Sequence, residues 1–179
     1  MVKEAPVDTS AQEENEVHDN SLEQSLSGDI PPDLNLAALE LRAIQKIQDY
    51  AGYIDIISDS AYDGTFRDQA LSMANDLFID GRIIDSSISN TSESQNIKHF
   101  FNQLFNNKYG KVKPKIKDIA VIHHFTPIGN ERYEALLSFN QIIENIETKK
   151  EIKVILTKVE KQFGSSKKEV WVVFLGDIR

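Results

Sequence analysis

The chain is 179 residues long with a formal net charge of −8, 40% apolar residues and 27% charged ones, the composition of one globular domain with some excess length. No apolar run approaches the ~18 residues a bilayer-spanning helix needs, and the longest, Val170-Trp171-Val172-Val173-Phe174-Leu175, is strand-sized. With no cysteine, a disulfide framework, a thiolate nucleophile and a cysteine-based zinc site are all excluded.

The acidity is localised. Residues 1–33 hold nine acids (Glu4, Asp8, Glu13, Glu14, Glu16, Asp19, Glu23, Asp29, Asp33) and one base, Lys3, a net of −8. The remaining 19 acids and 19 bases cancel. Residues 1–32 carry few large apolar side chains, so they bury too little surface to offset ordering entropy and are expected to be a disordered acidic tail. Residues 33–179 are expected to form the folded domain. A neutral domain lacks the basic footprint of a nucleic-acid binder. No apolar signal segment follows Met1, and a periplasmic or secreted location and a cytoplasmic one both remain open.

Pro31-Pro32-Asp33 opens the first helix, with Asp33 or Asn35 able to cap it. Leu36, Leu39, Ala43, Ile47, Tyr50, Ile54 and Ile57 recur at steps of three and four, which predicts an amphipathic helix of about six turns. After Asp63-Gly64, Thr65 is expected to cap a second helix burying Phe66, Ala70, Met73 and Leu77. Gly81 suits the end of that helix, and Arg82–Ser86 reads as a short strand. Ser92-Glu93-Ser94-Gln95 fits a capping box for a third helix, with Ile97, Phe100, Phe101, Leu104 and Phe105 inward.

Four strands are predicted beyond it: Ile116–Phe125, apolar on both faces as though covered on both sides, then Tyr133–Ile146, Ile152–Phe163 and Glu169–Ile178. Turn signals separate them at Pro127-Ile128-Gly129-Asn130, Thr148-Lys149-Lys150 and Gly164-Ser165-Ser166. The expected fold class is α+β, three N-terminal helices packed on a curved antiparallel sheet.

This order resembles the nuclear transport factor 2-like superfamily, which includes ketosteroid isomerase and scytalone dehydratase. Leu77-Phe78-Ile79-Asp80-Gly81-Arg82-Ile83-Ile84 looks like the family's helix-to-strand junction, Asn96-Ile97-Lys98-His99-Phe100-Phe101 like its third helix, and Val170-Trp171-Val172-Val173 like its last strand. The likeness covers about residues 36–178. It implies a cystatin-like cone whose pocket lies between the helices and the concave sheet face, where family enzymes use Asp, His and Tyr as acid, base or hydrogen-bond donor. Here the corresponding positions are Tyr50 and Tyr53 on the first helix, Asp80 and Asp85 at the junction, and His123 or His124 on the first long strand; Phe101 would line the pocket.

Successive strand residues point to opposite faces, so His123 and His124 cannot converge on one ion or substrate. His18 and His99 lie elsewhere, and no metal set and no cofactor are expected. Lys111, Lys113, Lys115 and Lys117 alternate after Lys108 and, if extended, form a positive strip: a lysine-protected edge strand or a surface for an acidic partner such as the protein's own tail. Asn90-Thr91-Ser92 matches a glycosylation acceptor. No nucleotide-binding loop or nucleophile elbow is present. The reading that follows is a non-catalytic binding or protein-interaction domain, able to pair through its open sheet as a homodimer or to take a protein partner or small hydrophobic ligand. The alternative is a small-molecule isomerase or lyase using general acid–base catalysis with Asp85, His123 or His124, and Tyr50.

Overall fold

The computed structural model describes residues 32–86, 93–129 and 131–179. The acidic tail and the Asn90-Thr91-Ser92 sequence fall outside them, as do the side chains of Asp33 and Asn35. Helix α1 runs Pro32–Ser58. Proline suits its first turn, where the missing N–H has no intrahelical partner to lose. Ala43, Ile47, Tyr50, Ile54 and Ile57 along it are fully enclosed, which is the stripe the spacing predicts.

Helix α2 (Gly64–Asp76) is capped by Asp63, whose carboxylate accepts from the Thr65 N–H; the expected Thr65 cap is thus two residues off. Its buried face is Ala70 and Ala74, with Leu77 just beyond. Phe66 and Met73, expected inside, are 46% and 45% exposed. Alanines let α2 lie close against α1, and the larger side chains fall on the outer flank, where Phe66 packs edge-on to Tyr62 at 5.5 Å.

Strand β1 is Ile83–Ser86, and β2 is Glu93–Asn96. The latter occupies the sequence expected to cap the third helix. Helix α3 instead starts at Ile97 and ends at Phe105, with Asn96 as the cap accepting from the Lys98 N–H at 2.9 Å. Its inward residues are Ile97, Phe100, Phe101 and Leu104, and Phe105 is only partly covered.

Strands β3 (Lys115–Gly129), β4 (Arg132–Ile143), β5 (Ile146–Phe163) and β6 (Ser166–Ile178) complete a six-stranded sheet in the order β2-β1-β6-β5-β4-β3. Neighbours are antiparallel except β1 and β6, which meet in parallel at Ile84 and Ile178. The hairpin turns are tighter than expected. The β4–β5 loop is Glu144-Asn145, both left-handed at φ 50° and 68°, so Thr148-Lys149-Lys150 lies within β5 and is not a turn.

The face looking toward the helices carries Ala135, Leu137 and Phe139 of β4, Ile152, Val154 and Leu156 of β5, and Val173, Leu175 and Ile178 of β6. Strand β3 does not fit the expectation of cover on both sides: Phe125 alone within it is buried. It is an edge strand, and its pairing with β4 shifts register four times. Each shift inserts an extra residue that bends and twists the edge. Curvature and edge protection therefore come from one device.

Candidate functional site

Tyr50 sits at the centre of the space the helices enclose. Its ring meets Phe78 at 5.8 Å and Phe101 at 6.2 Å, while Phe78 and Phe101 are 5.9 Å apart and Phe100 joins Phe101 at 5.6 Å. These are tilted and edge-on pairs, the arrangement aromatic quadrupoles favour. Burial drives the Tyr50 hydroxyl far above its ordinary pKa, so it stays protonated. Tyr53 is half-buried at the margin of the core, and burial, with Asp49 second, raises its pKa.

Asp85 lies near the end of β1. Its backbone carbonyl accepts from Lys150 Nζ at 3.0 Å. Lys150 is only 4% exposed because it falls on the helix-facing row of β5 with Ile152, Val154 and Leu156, opposite Phe139. Desolvation lowers its pKa and the Asp85 carboxylate opposes that shift. This buried cation was missed in the sequence, where it was assigned to a turn; alternation extended two residues back from Ile152 identifies its face. Asp80 is highly exposed and pairs with Lys98 at 2.5 Å.

The two histidines part as strand geometry demands. His124 Nδ1 is 2.8 Å from Glu40 Oε1 on α1, with the imidazole 79% exposed and the carboxylate 12%. His123 is exposed and opposite Leu136. Glu40 is ten residues before Tyr50, ~15 Å along a helix axis. Strand β1 is four positions from β3 in the sheet, ~19 Å at ~4.8 Å per step along the sheet. Tyr50 and Phe101 come together; Asp85 joins Lys150; His124 joins Glu40. Among the described residues, no group of three or more His, Cys, Asp or Glu is placed to hold a metal ion.

The lysine strip divides. Lys111 binds Asp59 at 2.6 Å and Lys113 approaches Asp55 at 3.8 Å, tying the α3–β3 connection to the end of α1. The hydrogen bond from Lys111 holds the Asp59 carboxyl below its ordinary pKa, helped by the Ala61 N–H. Lys115 and Lys117 stand exposed on the edge strand. No helix among the described residues is long and apolar enough to cross a membrane.

No protein-family model matches the sequence, and no curated protein matches it. Among solved structures the chain is similar to a scytalone dehydratase-like protein from Novosphingobium aromaticivorans DSM 12444, at 9% identity over 82% of this chain and 90% of that one, with a TM-score of 0.36. The element order among the described residues is two helices, a short strand pair, a third helix and then four long strands in a curved, unclosed sheet, a helix-backed α+β architecture.

Proposed function

We propose that residues 33–179 form a non-catalytic binding module that pairs with a second copy of itself through the sheet face that carries Ile155, with 1–32 as an acidic segment outside it. The observation that carries this reading is the row of half-buried apolar side chains around Ile155, a buried residue that stands outside the helix-packed core, opposite Phe174. Leu136, Val159, Val170, Val172 and Phe174 are half-buried and share that face by register. Lys46 of α1 reaches the Phe174 ring at 5.9 Å, and the apolar stripe running on from there is the kind of surface a partner covers. The Lys153–Glu134 ion pair at 3.1 Å crosses the same face and gives it opposite charges beside the stripe, as a self-complementary interface requires.

Dispersal of the candidate catalytic residues supports the non-catalytic reading. General acid–base work needs groups within hydrogen-bond reach of one substrate. The Lys150 contact of the Asp85 carbonyl, the Glu40 contact of His124 and the Phe78 contact of the Tyr50 ring lie on separate elements. An isomerase or lyase would require these to meet around a ligand.

Sedimentation equilibrium tests the proposal. The expected result is a dimer for the full chain and a monomer for Val172→Glu with an unchanged thermal midpoint. A strict monomer for the unsubstituted chain at high protein concentration sinks it.

A further inference from the structure

The neutrality of the folded part conceals a separation of charge. Residues 34–107, which hold the helices and the short strands, carry ten acids and five bases, a net of −5. Residues 108–179, which hold β3 to β6, carry nine acids and fourteen bases, a net of +5. The positive half has one place where cations face cations. Strand β4 begins at Arg132, opposite Thr157, so β5 and β6 continue past it as a two-stranded arm from Lys158 to Trp171, paired within the described residues only with each other. Every residue from Glu160 to Glu169 on it is exposed.

On this arm Lys161 stands directly opposite Lys168, and neither makes an ion pair among the described residues. Like charges directly opposite across a ladder repel. Glu160 opposite Glu169 would repeat the problem, but Lys167 binds Glu160 at 2.7 Å. Lys46 on α1 adds to the positive side: after desolvation and the opposing effect of Asp49, Lys161 is the next influence on it and lowers its pKa. Arg132, exposed at the root of the arm, lies on the same face as Lys161, since both fall in register with Thr157 and its alternate residues.

The arm leaves the sheet at the end where the chain enters it. Strand β3 runs opposite to α1, since Val112 meets Ser58 at the far end of α1 and His124 meets Glu40 nearer its start. The β3–β4 turn and the root of the arm therefore lie toward Pro32. Thirty-one residues precede Pro32, with eight acids against one base, and can span up to ~100 Å when extended.

We propose that this acidic N-terminal segment docks in cis on the basic arm, against Lys161, Lys168 and Arg132. Each exposed charge pair contributes little alone. Tethering supplies an effective concentration in the millimolar range, enough to sum several weak pairs, and the docking is screened by salt. The segment then competes with any acidic polypeptide for the arm.

Carbodiimide cross-linking of an equal mixture of unlabelled and 15N-labelled full-length chain, read by mass spectrometry, tests this. Expected are intrachain links from Glu13, Glu14, Glu16 or Asp19 to Lys161 or Lys168, at least fivefold fewer in 1 M NaCl. The single tryptophan, Trp171, at the root of the arm, supplies a second readout. Its emission is expected to shift with salt in the full chain, and not in a variant with Glu13→Gln, Glu14→Gln, Glu16→Gln and Asp19→Asn. Mixed-isotope links in place of intrachain ones, links spread evenly over the lysines of the domain, or a salt response unchanged by the tail substitutions would each overturn the proposal.

Discussion

The guanidinium of Arg67 donates twice to the Ile57 carbonyl, at 2.9 and 2.6 Å. The same group donates to the Phe105 carbonyl at 2.5 Å and lies 4.7 Å from the Phe105 ring. Ile57 is in the last turn of α1 and Phe105 ends α3, so one side chain from α2 satisfies orphan carbonyls at two helix C-termini. Such carbonyls have no intrahelical donor, and the cation also suits the negative end of the dipole.

Arg67→Ala is accordingly expected to cost about 2–3 kcal/mol, from loss of charge-assisted hydrogen bonds to two carbonyls. Arg67→Lys should recover only part of this, because an ammonium lacks the planar fork. Urea denaturation of the three proteins measures it; equal stability for Lys and Arg would contradict the two-carbonyl role.

Ser58 and Val112 exchange a reciprocal pair across the core. The Ser58 hydroxyl donates to the Val112 carbonyl at 3.0 Å and accepts from the Val112 N–H at 2.9 Å, with Ser58 fully enclosed. Ser58→Ala leaves both backbone groups without that partner and is expected to cost about 1–3 kcal/mol. Hydrogen exchange at the Val112 amide should accelerate along with it.

The buried Lys150 sets a pH dependence whose sign follows from its lowered pKa. Where the group is protonated in both states, burial of the charge opposes folding. As pH rises through the lowered folded-state pKa toward the ordinary 10.5, the folded protein sheds the proton first and stability rises. Lys150→Met should abolish this alkaline contribution. The stability difference between the two proteins, followed by denaturation from pH 7 to 10, should therefore move in favour of the unsubstituted chain; a flat difference would refute the assignment.

The Glu144-Asn145 turn has two non-glycine residues at positive φ, where a two-residue hairpin favours Asn-Gly. Replacing the pair by Glu144→Asn and Asn145→Gly relieves left-handed strain at Glu144 and is expected to add about 0.5–1.5 kcal/mol. Thermal unfolding of the double variant checks the gain.

Much of the fold was legible because it rests on periodicity. The α1 stripe from Ala43 to Ile57 and the α3 face from Ile97 to Leu104 follow the helical repeat, and burial selects that repeat wherever one face is covered. Strand β2 was not legible: Glu93-Ser94-Gln95-Asn96 is polar and carries both a cap signal and a strand, and only pairing with β1 decides between them. Phe66 and Met73 misled for a related reason. Their spacing matches a helix face, but α2 turns its alanines inward because neighbouring helices set the available distance.

The candidate site divides along the same line. That His123 and His124 diverge, and that Tyr50 belongs to an apolar stripe, follow from local geometry alone. Side-chain direction along one element is fixed by backbone repeat. Which distant group each side chain meets is not: Lys150 at the Asp85 carbonyl, His124 at Glu40 and Arg67 at two helix ends are separated by 65, 84 and, for its two carbonyls, 10 and 38 residues. Sheet curvature set by four irregularities in β3, and helix packing against it, decide those meetings. The sequence alone determined the helices, the main strands and the segregation of charge into the N-terminal segment, because these depend on neighbours along the chain. Only the tertiary structure placed a cation inside the cone and paired basic residues on a projecting arm, because those depend on which strands lie side by side.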